Sequence, residues 1–151
     1  MDGLTETNRR TVLKALGAGA VISAGITGTA TANPEGLGKY HDVDRAVKEG
    51  YVPTPCVPDM GIHYINFDLI NTEVKVSQPE ALVYANDGDK LRYLGVEYLA
   101  TEEFRLFGHH AHFIPELELY GLHGWFFEKN DNGKHAELHS NVDENCNFVT
   151  D

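Results

Sequence analysis

The chain is short of the groups on which the commonest hydrolytic and nucleotide-dependent chemistries rest. Beyond residue 32 only two serines occur, Ser77 and Ser140, and neither stands in a Gly-x-Ser-x-Gly elbow, so the usual serine-hydrolase arrangement is missing. There is no glycine-rich phosphate loop and no dinucleotide fingerprint, which leaves nucleotide cofactors without a recognisable seat. Lysine and arginine total 12 against 23 aspartates and glutamates, a formal net charge of −11 at pH 7, and the cations form no cluster. Such a surface repels phosphate backbones and anionic lipid, which excludes nucleic acid as a natural partner. The apolar stretch at residues 15–26 is too short and too rich in glycine to span a bilayer convincingly. Cysteine is nearly absent: there are two, Cys56 and Cys146, and neither belongs to a Cys-x-x-Cys pair.

What is present begins with an address. Asn8-Arg9-Arg10-Thr11-Val12-Leu13-Lys14 opens a mildly apolar, Gly- and Ala-rich stretch that runs to Ala30-Thr31-Ala32. The paired arginines, Leu13, Lys14 and the small-x-small tripeptide resemble a twin-arginine (Tat) export signal, with Val12 where Phe is commoner. The resemblance implies a signal peptide over residues 1–32 read by the Tat translocase, a linker over 33–38 and one globular domain over 39–151. The expected product is extracellular or at the cell surface, and no cysteine near the cleavage site offers a lipid anchor.

Cleavage after Ala32 would leave residues 33–151, enough for one modest core, and would move the formal charge from −11 to −12. This acidic excess with few lysines resembles that of proteins from salt-loving archaea, where carboxylates keep the surface hydrated and salt screens their repulsion. In an exported chain Cys56 and Cys146 are expected to pair. Closing so long a loop stabilises by up to about 4 to 5 kcal/mol on the chain-entropy view. A reactive or metal-binding thiol is the alternative.

The pattern along the domain predicts one helix and about five strands. Asp42 has the chemistry of an N-cap, Val43, Ala46 and Val47 an apolar stripe, and Gly50 that of a helix stop. Pro53, Pro55 and Pro58 place Cys56 on an irregular loop. The period then changes to two, with strands expected at 62–66, 81–85, 91–99, 119–128 and 135–139. Turn residues at 86–89 and 130–133 are expected to join neighbouring strands as hairpins rather than to bind calcium. The fold class predicted is α+β: β-rich, one N-terminal helix packed on an antiparallel meander that curls into a sandwich or small open barrel.

All eight histidines lie beyond residue 32. His63 falls on the first long strand, His109, His110 and His112 on the stretch after Phe107, and His123 on a strand whose alternation groups it with Leu119, Gly121, Trp125 and Phe127. Glu97 alternates onto a face with Tyr93, Gly95 and Leu99, where a carboxylate needs a cation, a donor or solvent. His63, Glu97 and His123, with His110 or His112, would make an ordinary two-His-one-carboxylate or three-His site for zinc or a redox metal. His110-Ala111-His112 followed by Glu116 also echoes the paired-histidine motif of cupins, although Pro115 interrupts the strand that motif occupies. The competing reading makes His63 and His123 hydrogen-bonded interior residues, the loop histidines a solvated patch, and His135 and His139 the solvent face of a last strand.

A wider resemblance rests on Gly50-Tyr51-Val52, Cys56-Val57, Met60-Gly61-Ile62-His63-Tyr64-Ile65-Asn66, Pro79-Glu80-Ala81-Leu82-Val83-Tyr84, Gly95-Val96-Glu97-Tyr98, Leu106-Phe107-Gly108 and Leu122-His123-Gly124-Trp125, with Asn130, Gly133 and Cys146. Together these segments, over most of the domain, resemble a family of small, exported, functionally uncharacterised proteins of bacteria and archaea. The resemblance implies that His63, Glu97, His123, Trp125 and both cysteines recur, with a paired disulfide and one polar site. Gly124, Phe126, Phe127 and Lys134-His135-Ala136 depart from its pattern, so the wall of the site is expected to differ.

The expectation is therefore an exported, acidic, disulfide-bonded domain with a site for one transition metal (zinc, copper or iron) or for a small ligand. If the metal takes part in a reaction, Glu97 would move a proton provided it is not itself a ligand. The alternative is a non-enzymatic cell-surface binding module whose Tyr120, Trp125, Phe126 and Phe127 form an aromatic patch, which requires exposure of Trp125 or Phe127.

Overall fold

A computed structural model describes residues 33–150. The expected signal peptide, residues 1–32, lies outside the described residues.

A 3-10 helix, Leu37–His41, leads into the α-helix α1, Val43–Lys48. The Asp42 carboxylate accepts the Asp44 N–H at 3.0 Å, the capping bond its position predicts, and Gly50 follows with φ 103°. With only six residues α1 docks a single row. Ala46 is buried and Val43 partly so, whereas Val47 is 52 % exposed, contrary to its place in the expected stripe. Leu37 and Tyr40 from the preceding 3-10 turn, and Tyr51 after the helix, supply the rest of the contact.

The main sheet has six strands in the order β1-β2-β3-β4-β8-β7, every neighbour antiparallel. They are β1 (Val52–Pro53), β2 (Ile62–Ile65), β3 (Ala81–Asp87), β4 (Lys90–Ala100), β7 (His112–Ile114) and β8 (Leu119–Gly124). A separate ribbon pairs β5 (Arg105–Leu106) with β6 (His109–His110). The β-rich α+β architecture is as expected, and the sheet remains open. Even the proline-rich segment contributes an edge strand, because Pro53 can sit where its missing N–H would face away from the ladder.

Three expected details are corrected. Strand β8 ends at Gly124 rather than near residue 128, and 135–139 is a run of turns. The side chain of Asn130 takes over the hydrogen bonding that a last strand would have provided: its Nδ2 donates to Gly133 O and Leu138 O at 2.9 and 2.8 Å, and its Oδ1 accepts from Ser140 N at 2.7 Å. The hairpin partner of β8 is instead β7, reached through a turn in which Glu118 adopts φ 56° and donates its N–H to Ile114 O.

The third correction concerns faces. Val83 pairs with Gly95 and Tyr84 with Tyr93, so Leu94 is the extra residue of a β-bulge. Up to the bulge, Tyr93 joins Leu82, Tyr84, Val96 and Tyr98 in the core that packs on Leu37, Tyr40, Ala46 and Tyr51. Beyond it, Glu97 and Leu99 fall on the opposite face, so Tyr93 and Glu97 do not share a side. Phe127 likewise leaves the face of His123 and stacks on Tyr93 with ring centres 4.3 Å apart.

On the second face Val83, Ala85 and Leu94 pack with Trp125 and Val142, while Ile65, Ala81, Leu99 and Leu119 form a separate cluster. Trp125 is only 2 % exposed, its Nε1–H donating to Ala136 O at 2.7 Å, and Phe126 and Phe127 pack against the first core. Trp125 is therefore interior, and takes no part in an exposed aromatic patch.

Cys56 and Cys146 form a disulfide across a sequence separation of 90 residues, tying the β1–β2 connection to the C-terminal segment. That segment is also held by Asn86, whose N–H donates to Cys146 O at 2.7 Å and whose carbonyl accepts Phe148 N–H at 2.7 Å. Replacing both cysteines by serine should lower the unfolding free energy by about 4 kcal/mol if loop entropy dominates. Urea unfolding of the oxidised and double-serine proteins measures the difference, and equal midpoints would contradict it.

Candidate metal centre

The second face places one imidazole from β2, one carboxylate from β4 and one imidazole from β8 around a single point. His63 pairs with Val83, Ala81 with Glu97, and Glu97 with His123. In a flat sheet the three strand spacings between β2 and β8 would hold the two histidine backbones about 14 Å apart. Yet His63 Nε2 lies 3.3 Å from His123 Nε2. The sheet therefore curls toward this face, and the two rings lean toward each other. Gly95 is needed for a steric reason: a Cβ there would overlap the Gly124 carbonyl oxygen.

Glu97 Oε1 completes a triangle, 3.2 Å from His63 Nε2 and 3.5 Å from His123 Nε2. Bonds of about 2.0 to 2.1 Å at tetrahedral angles put ligand atoms roughly 3.3 to 3.4 Å apart. The three observed separations bracket that spacing, so a zinc-sized ion fits the triangle without moving the side chains far. Three protein donors, with the fourth position left to another ligand, is the pattern of reactive rather than purely structural zinc sites.

The side chains are nearly sealed, with residue exposures of 5 % for His63, 4 % for Glu97 and 1 % for His123. Burial opposes the charge on Glu97, but His123 and then His63 more than offset it, holding the carboxyl down at about 2. Burial also holds His123 down, at about 4, although Glu97 pulls the other way. Near neutrality the pair thus presents a carboxylate and an uncharged imidazole, the protonation states that bind a cation. Converging imidazole nitrogens and a carboxylate oxygen repel unless a proton or cation lies among them.

Two neighbours set the rings and the carboxylate. Trp125 stacks on His123 with ring centres 4.6 Å apart and planes 7° from parallel. Both Nδ1 atoms are buried and have no hydrogen-bond partner among the described residues, so the outer bond that usually orients a ligating histidine is replaced here by packing. Gly121 makes room for the carboxylate: a Cβ at that position would lie 2.6 Å from Glu97 Oε2.

The other predicted ligands stand apart. His110 is exposed on β6, and His109 beside it contacts the His135 ring at 4.7 Å. His112 is on β7, outside the triangle, with its Nε2 3.6 Å from Glu137 Oε2. His135 and His139 do not form a solvent-facing row. His139 is 2 % exposed, accepts the Asn141 N–H on Nδ1 at 3.0 Å and meets Glu128 O through Nε2 at 3.2 Å. His135 is half-buried, and its Nδ1 donates to His123 O at 2.8 Å. Alternation could not find these roles, because 135–139 is not extended.

A second buried carboxyl provides the contrast. Glu80 is 2 % exposed and accepts the Leu99 N–H at 2.9 Å, with no cation paired to it among the described residues. Burial pushes its carboxyl well above the usual carboxylate range, against the pull of two backbone N–H groups. Glu80 is thus the neutral acid of the pair and Glu97 the charged one.

No family model, curated protein or solved structure matches the chain.

The acid response follows from His123 and Glu97. In metal-free protein His123 has a folded value of about 4 against an ordinary 6.5, so the unfolded chain takes up its proton first as the pH falls. Stability present above about 6.5 is lost toward 4, and Glu97, lowered from 4.5 to about 2, continues the loss below that. Between pH 7 and pH 4 the urea midpoint of the parent should fall relative to that of the His123→Gln protein, a difference in which the shared contribution of Glu80 cancels. Glu80 has the opposite sign: a raised folded value costs stability as the pH rises above 4.5. Glu80→Gln, which keeps the acceptor for Leu99, should be at least as stable as the parent at pH 8. A large loss in thermal unfolding there would show that the carboxylate itself is needed.

Proposed function

We propose that this is an exported protein that holds one first-row transition ion, zinc in the first instance, between His63, Glu97 and His123, and offers it to a small external ligand. The observation that carries the proposal is the triangle of donor atoms at 3.2, 3.3 and 3.5 Å, buried and composed of two imidazoles and a carboxylate. Copper and iron share the same donor preferences, whereas calcium and magnesium prefer all-oxygen sets.

In this reading Glu97 is a ligand through Oε1, so it is not free to serve as the proton carrier. A bound ion would supply Lewis acidity, polarising an oxygen of whatever ligand it meets. The chain's own contribution is to keep water scarce, to hold the carboxylate ionised and to fix the His123 ring against Trp125. Gly121 leaves the space that lets Glu97 lean into place.

Export belongs to the same proposal. The Arg9-Arg10 segment, the resemblance to small exported proteins and the acidic composition point outward, to an extracellular or cell-surface protein delivered by the Tat translocase. The Cys56–Cys146 disulfide fits an oxidising compartment, and among the described residues no helix is long and apolar enough to cross a membrane.

The test is metal analysis by mass spectrometry of protein produced through its own export route and purified at high salt without chelator or His tag. One equivalent of a single metal is expected, lost in His63→Ala and in His123→Gln. No bound metal, together with no uptake of zinc or copper afterwards, would overturn the proposal. Trp125, the only tryptophan, gives an independent readout, because its ring lies 4.6 Å from that of His123. Copper(II) should quench its emission stoichiometrically, and His63→Ala should abolish the sharp endpoint.

A further inference from the structure

The donors of the triangle are buried, so an ion enters or leaves only when part of their cover opens. On the Trp125 side that cover is built from two segments far apart in sequence. Trp125 stacks on His123, and in one cluster with it are Met60 from the β1–β2 connection and Val142 and Phe148 from the C-terminal segment. His139, at the start of that segment, meets the Trp125 ring edge-on with centres 4.9 Å apart.

Among the described residues two backbone hydrogen bonds join these segments beside the disulfide: the Asp59 N–H donates to Asp143 O and the His139 N–H to Asp59 O, each at 3.0 Å. The C-terminal segment consists of turns and single bridges, from Asn147 to Asn86 and from Val142 to Phe148. Such short hydrogen-bonded pieces open locally at low cost unless a cross-link holds them. Cys146 has φ 62°, a left-handed conformation that a residue with a Cβ rarely adopts. Cys56 is exposed, whereas Cys146 is buried. The latched connection also reaches the centre directly, because Thr54, two residues before Cys56, donates its N–H and its hydroxyl to His63 O at 2.8 and 2.9 Å.

Resting on the reading of the triangle as a metal centre, we propose that the Cys56–Cys146 disulfide is a redox gate on ion exchange at that centre. Oxidised, it pins residues 139–148 over Trp125 and traps the ion. Reduced, it frees that segment, and the cover over His123 opens more often. The reductant is a dithiol. One of its thiolates attacks Cys56 Sγ, on the exposed residue, and the Cys56–Cys146 bond breaks as Cys146 leaves and takes a proton. The second thiol then displaces Cys56, which leaves likewise, and the reductant ends as a cyclic disulfide, two electrons and two protons having moved to the protein. A disulfide oxidant runs the exchange backwards and closes the gate. Because the closed cover dominates in both forms, the cross-link changes how fast the ion moves and leaves its affinity nearly unchanged. A chain loaded under reducing conditions therefore keeps its ion on reaching an oxidising compartment.

The experiment follows zinc release from the loaded protein to excess chromophoric chelator in three forms: oxidised, reduced with a phosphine that is then removed anaerobically, and Cys56→Ser/Cys146→Ser, which has no thiol to bind zinc. Release is expected to be about tenfold to a thousandfold faster in the last two, the upper limit being the full loop-closure effect of the cross-link, with affinity from chelator competition nearly unchanged. Acrylamide quenching of Trp125 in metal-free protein reads the cover itself and should rise on reduction. Equal release rates in all three forms would overturn the gate and leave the metal centre standing. Faster release with unchanged quenching would overturn it by placing the opening away from Trp125. A fall in affinity that matches the faster release would overturn it too, since the cross-link would then shape the triangle instead of covering it. Loss of the far-ultraviolet circular dichroism signal on reduction would make the disulfide a requirement of the whole fold and end the proposal. No zinc uptake by any form would remove the centre and the gate together.

Discussion

One extra residue in β4 divides the molecule's chemistry. Leu94 is unpaired between two stretches of regular β3–β4 register, so residues on either side of it change faces relative to a simple alternation. Tyr93 is sent to the aromatic core beneath the N-terminal helix, where it stacks with Tyr84 and Phe127. Glu97 is sent to the other face, between two histidines. A regular strand in phase with either residue would put the other on the wrong side, a tyrosine in the polar centre or a buried carboxylate among tyrosines.

The centre itself depends on compensation inside a sealed face. Glu97 and Glu80 are both buried glutamates, yet they are driven in opposite directions, because Glu97 lies within 3.5 Å of two imidazole nitrogens while Glu80, among the described residues, has only backbone donors. The same low-dielectric surroundings make the uncompensated carboxyl neutral and the compensated one ionised. The two apolar clusters of this face, one around Trp125 and Leu94 and one around Leu99 and Leu119, help exclude solvent from the centre, and they are bounded differently at their margins. The Trp125 side is latched by the disulfide and by Asn86, whereas β7 is a three-residue edge strand carrying His112.

Much of this was legible in the sequence for local reasons. Asp42 caps the helix because an aspartate before an apolar-periodic stretch offers an oxygen to the first free N–H groups. Strands β2, β3 and β4 follow from their two-residue period, and two cysteines in a chain expected to be exported were expected to pair. Glu97 stood out because alternation buries it. What local pattern could not supply was phase and partnership: Tyr93 and Phe127 are placed by a bulge and a strand end. The 135–139 segment lost its expected strand to the side chain of one asparagine, Asn130, whose hydrogen bonds span up to ten positions.

The sequence by itself determined the classes of chemistry left open: an acidic composition, an imidazole-rich domain with few serines, and small residues next to His123 and Glu97. Those are properties of residue type and short spacing, which do not require the chain to be folded. Only the tertiary structure decided which histidines meet. His63 and His123 are 60 positions apart, and they meet because the sheet curls across β3 and β4. His110 and His112, close to each other in sequence and as chemically suitable, stay outside because β6 lies in a separate ribbon and β7 at the sheet's edge. Convergence of donors from three strands is a property of curvature and register, and neither is written in the spacing of any one segment.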